Sequence, residues 1–129
     1  MRYVRFYPFT VLLLVVICCL SLMPAPKIEM VGGQFGDKWG HMVMYGALAC
    51  VAFVESWRMM GRMPGVSVGL VVLLCSVILG GVLELLQAYC TVTRSGDWLD
   101  FGADGVGGVV GLLIGYAVGM VLFGRRGVR

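Results

Sequence analysis

The chain has 129 residues, of which 60% are hydrophobic and only 13% charged, with 20 glycines and a formal net charge of +3. A soluble domain carries about a quarter of its residues as charges, and a chain this short cannot bury so much apolar surface, so an ordinary soluble domain and a disordered chain are both excluded. The basic residues gather on no single face, which argues against nucleic acid, and an all-α integral membrane protein remains.

Four apolar segments predict four transmembrane helices with short loops, over about 6–23, 39–57, 66–90 and 99–123, in one domain covering 1–129. A span needs about 20 residues, and a backbone in lipid must satisfy its own hydrogen bonds, which selects helices. The first segment follows MRYVR and resembles a signal peptide in position. Its apolar run is long for one and SLMPAPK offers a poor cleavage site, so it is expected to stay in the protein. The cysteines, Cys18, Cys19, Cys50, Cys75 and Cys90, form no CxxC and have one histidine to join them. A zinc site or disulfide framework is not indicated, and those inside the spans read as small hydrophobes.

The second segment opens with Asp37, Lys38, His41 and Tyr45, of which Asp37, His41 and Tyr45 are four apart and share a helix face. Near its other end Glu55 precedes Arg58 by one turn and reads as a local ion pair. The third segment is interrupted by Gly80 and Gly81 and carries Glu84 and Gln87 near its end. A loop with Arg94 and Asp97 follows. The fourth opens with Asp100 and Asp104, then repeats glycine every four residues at 107, 111, 115 and 119. That repeat makes a smooth groove where another helix can approach closely. Trp39, Trp57 and Trp98 read as interfacial belt residues.

Loop charges orient the bundle. With both termini cytoplasmic, seven arginines (2, 5, 58, 62, 125, 126 and 129) lie inside and Lys27, Lys38 and Arg94 lie outside. The helix ends carrying Asp37, Lys38, His41, Glu84, Gln87, Asp100 and Asp104, with Arg94 between, then meet at the outer face. Carboxylates within a span are expensive and face the bundle interior, so one outward-facing polar pocket is expected. Lysine and arginine there hold an anion. Histidine beside a carboxylate can act as a base, and grouped carboxylates can hold a divalent metal through oxygen. A nucleotide is not expected, since no phosphate-binding loop is present and the cluster faces away from cytoplasmic ATP.

The motifs DKWGHMVMYGAL (37–48), ELLQ (84–87), Arg94 and DFGADGVGGVVG (100–111) resemble, in order and spacing, those of the VanZ-like membrane proteins, a family named after a protein linked to teicoplanin resistance. The resemblance covers the second to fourth segments; the first matches only as an apolar span. It implies four helices, a bacterial membrane and a cell-envelope or glycopeptide-related role. Its polar positions fall on Asp37, Lys38, His41, Tyr45, Glu84, Gln87, Arg94 and Asp100. One position departs: Asp104 stands where the family often has asparagine, replacing an amide donor by an acceptor.

The function expected is binding or modification, at the outer face of the bacterial inner membrane, of an anionic substrate that is lipid-linked or related to peptidoglycan. If the protein is an enzyme, His41 is the base with Asp37 or Asp100 orienting it. Lys38, Tyr45, Gln87 and Arg94 bind the substrate, and Glu84 and Asp104 form a metal or acid pair. The partners expected are membrane lipids or a lipid-linked cell-wall intermediate, and a homo-oligomer is compatible with the sequence. The alternatives are a transporter or ion pathway, and a structural subunit of another membrane complex.

Overall fold

The computed structural model describes residues 5–23, 34–90 and 98–124, with 34–37 described by backbone only. The described elements are four helices and no strand: α1 (Pro8–Leu22), α2 (Gln34–Met60), α3 (Val66–Cys90) and α4 (Trp98–Phe123). By length and composition α3 and α4 are apolar enough to cross a membrane, while α1 is apolar but has 15 residues. The expected segment edges hold for α1, α3 and α4 to within two residues. In contrast, α2 starts five residues before the expected position and ends three after. Its hydrogen bonding continues through polar residues that a hydropathy reading leaves outside. It stops at Gly61, whose positive φ of 65° closes the helix as its N–H donates to the Trp57 carbonyl (3.0 Å), and Pro64 follows.

The inward face of α4 consists of Asp100, Ala103, Asp104 and the glycines 107, 108, 111, 115 and 119. Its outward face carries Val109, Leu113, Ile114 and Val121, all exposed. Small residues inside let α2 and α4 meet backbone to backbone. A Cβ on Gly111 would strike the Gly46 carbonyl, one on Gly107 the Met42 carbonyl, and one on Gly115 would lie 3.0 Å from the Cys50 carbonyl. The expected glycine groove is thus the seat of α2. Gly119 receives the Trp57 ring, which is 4% exposed and packed beside Phe53, Tyr116 and Phe123. Trp57 is therefore a core residue rather than a belt residue, because a glycine one helix away leaves room for an indole. Trp39 and Trp98 are exposed.

A second packing centre joins α1, α2 and α3 through Ile17, Tyr45, Leu48 and Leu83. At one end of this contact Glu55 takes a different role from the expected pair with Arg58. Phe9 N–H donates to Oε1 (3.1 Å), and the Thr10 N–H (3.0 Å) and hydroxyl (2.6 Å) donate to Oε2. α1 has no side-chain cap of its own, so a carboxylate from α2 satisfies its free N–H groups and complements its dipole. Arg58 reaches the Phe6 carbonyl instead (3.3 Å).

Candidate functional site

At the opposite end of the bundle, three helices bring their polar residues together. Lys38, His41 and Tyr45 come from the N-terminal part of α2, Glu84 from the last third of α3, and Asp100 and Asp104 from the first turns of α4. The four-residue spacing within α2 and within α4 places each set on one face. The close α2–α4 approach then sets the two faces against each other.

Asp104 lies at the centre and has no exposed surface. His41, 5% exposed, donates from Nδ1 to its Oδ1 at 3.1 Å. The carboxylate occupies a notch in α3 at Gly80, where any Cβ would collide with Oδ2. Gly80 and Glu84 are four apart, so the notch and the next carboxylate share one face of α3. Glu84 Oε1 lies 4.0 Å from His41 Nδ1, and Lys38 Nζ lies 3.6 Å from Asp100 Oδ1. The His41 ring stacks on Tyr45, with centroids 6.2 Å apart and planes 19° from parallel. Among the described residues, Asp104 Oδ2 and Asp100 Oδ1 are buried and accept no hydrogen bond. Each such oxygen costs free energy when it is dehydrated and left unmatched.

Most of the expected residues gather here: Lys38, His41, Glu84, Asp100 and Asp104. Tyr45 borders the group but is 1% exposed and belongs to the apolar packing centre, so it supports His41 from behind. Gln87 reaches α1: its Nε2 donates to the Ser21 carbonyl at 2.8 Å and ties α3 to the end of α1. The Asp37 side chain and all of Arg94 and Asp97 lie outside the described residues. Among the described residues Asp104 is hydrogen-bonded to His41, drawn inward by the Gly80 notch, whereas Asp100, one of the two carboxylates expected to orient the ring, faces Lys38; the other, Asp37, has its side chain outside the described residues. The expected Glu84–Asp104 metal pair is also regrouped. One ligand atom from each of His41, Glu84 and Asp100 lies within 4.8 Å of the others. The sequence reading missed Gly80 as the seat of Asp104. Its signal was present, since a glycine one turn before a glutamate in an apolar helix marks space on the polar face.

Beside the cluster a groove of about 430 Å³ runs between α3 and α4 along Ile78, Gly81, Val82, Leu85 and Phe101, with Glu84 in its wall. The arrangement can orient an imidazole by a carboxylate, hold an anionic group through Lys38, or ligate a cation through mixed nitrogen and oxygen donors. Compared with known proteins, this chain matches no family model, no curated sequence and no solved structure.

Proposed function

We propose that this is a small bacterial envelope protein of the VanZ-like type that binds or modifies a lipid-linked anionic substrate, with its tail in the α3–α4 groove and its head at the polar cluster. The observation that carries the reading is the joining of these two surfaces: an apolar groove whose wall contains Glu84 of the buried cluster. A tail and a polar head on one ligand fit such a site. In the modifying version His41, held by Asp104, is the base, and Lys38 holds the anionic head.

All four helices are assigned to the membrane, with both termini cytoplasmic and the cluster facing outward. The exposed aliphatic side chains of α3 and α4, beside an inward face of glycines and carboxylates, support that assignment. A transport path fits less well. At the opposite end Glu55 is the buried carboxylate, and its oxygens are occupied by the first turn of α1.

The test is lipid analysis of protein purified in mild detergent. The wild type should retain an anionic or lipid-linked phosphate species above the bulk membrane composition. Ala88→Trp, which fills the groove from its exposed rim, and Lys38→Ala should each lose most of it. Absence of enrichment in the wild type, or equal retention in both variants, would refute the reading. Orientation is tested separately in a background without native cysteines. Ser95→Cys should react with an impermeant thiol reagent in intact cells, and Gly127→Cys only after permeabilisation; the reverse would turn the site to the cytoplasm.

A further inference from the structure

We infer that His41, Glu84 and Asp100 form a divalent-cation site of the Mn²⁺ or Zn²⁺ class, with Asp104 as the residue that positions His41.

The donors come from three different helices, and one ligand atom from each lies within 4.8 Å of the others. Ligand atoms around one ion at metal–ligand distances of about 2.0–2.2 Å stand no more than about 4.4 Å apart, so a small inward adjustment completes the set. One imidazole nitrogen with carboxylate oxygens suits manganese, zinc or ferrous iron, whereas magnesium and calcium favour all-oxygen sites. A second observation points to a cation independently of this spacing. The Asp100 side chain is 8% exposed and its Oδ1 is buried without a hydrogen bond, Lys38 Nζ standing at 3.6 Å.

Asp104, hydrogen-bonded to the imidazole and locked in the Gly80 notch, fixes the ring as outer carboxylates do at metal-bound histidines. The ion also gives the cluster a means of receiving an anion, by bridging it to the carboxylates. That role rests on the function proposed above, whereas the site itself rests on the donor geometry.

The experiment uses the full chain in detergent, stripped with a chelator and titrated with Mn²⁺ and, separately, Zn²⁺. Bound metal is read by elemental analysis after desalting, and free Mn²⁺ by electron paramagnetic resonance. The wild type should bind one ion per chain, and its melting midpoint should rise with added metal. Asp104→Asn should weaken binding by about 10- to 100-fold, as removal of a positioning carboxylate does, and Glu84→Gln and Asp100→Asn should weaken it further. Failure of the wild type to bind either ion, or variants that bind as the wild type does, would overturn the site. The wild-type melting shift needs no variant to fold. Metal binding without lipid enrichment would sink the lipid reading alone, and lipid enrichment without metal binding would sink the cation site alone.

Discussion

Glu55 and Asp104 are both buried carboxylates in one helical bundle, and their surroundings differ in kind. Glu55 faces three donors from the first turn of α1, so both its oxygens are matched and it fixes one helix against another. Among the described residues Asp104 has one hydrogen-bond donor, His41, and two further carboxylates stand around that histidine and Lys38. The two ends teach that burial alone does not mark a functional carboxylate; the balance of donors around it does. Where donors match acceptors the group supports the fold. Where acceptors exceed donors among the described residues, the group is open to a further partner.

The Asp104 end is built on the α2–α4 contact, and α2 also carries Glu55, so the largest effect should come from breaking that contact. Gly111→Leu would drive a side chain into the Gly46 backbone, which cannot rotate away. It should cost about 3 kcal/mol or more and disturb both ends together. Gly124→Leu, which meets only the flexible Met120 side chain, should be mild. Melting and monodispersity in detergent measure the difference, and equal behaviour would remove the groove as a packing surface.

Next in size is Glu55→Ala, which strips the cap from α1 and should cost about 1.5–3 kcal/mol, the range for hydrogen bonds to a charged group. Glu55→Gln, which keeps an acceptor oxygen, should cost about half. Hydrogen exchange should show opening confined to the start of α1, and metal binding at the other end should be unchanged. A fall in metal binding would mean that the two ends are not separate.

Gln87→Leu removes the donor to the Ser21 carbonyl and should cost about 1 kcal/mol by denaturant unfolding. It should leave the cluster intact. Loss of metal or lipid with an unchanged melting midpoint would instead return Gln87 to the binding site.

The smallest stability effect is expected for Asp104→Asn. Asparagine fits the Gly80 notch and removes one of the crowded charges, so metal-free protein should melt within about 1 kcal/mol of the wild type or above it. A large loss would show that Asp104, like Glu55, is held by matched donors, and the contrast between the two ends would disappear.

Much of this arrangement is legible in the sequence because it is local. Apolar runs and their breaks locate the four helices. The four-residue spacing puts Asp100 with Asp104, and Gly107 with Gly111, Gly115 and Gly119, on one face of α4. The cost of a carboxylate in or beside an apolar segment singles out Glu84, Asp100 and Asp104 before any fold is known. What the tertiary structure decided was pairing between helices. Asp104 holds His41, Glu55 caps α1 rather than meeting Arg58, Gln87 reaches Ser21, and Trp57 packs onto Gly119. A single helix fixes the angle between its own residues. Its height and rotation against a neighbour are fixed only when whole surfaces fit, and here that fit is set by backbone contact at Gly46, Gly107 and Gly111 and by the notch at Gly80.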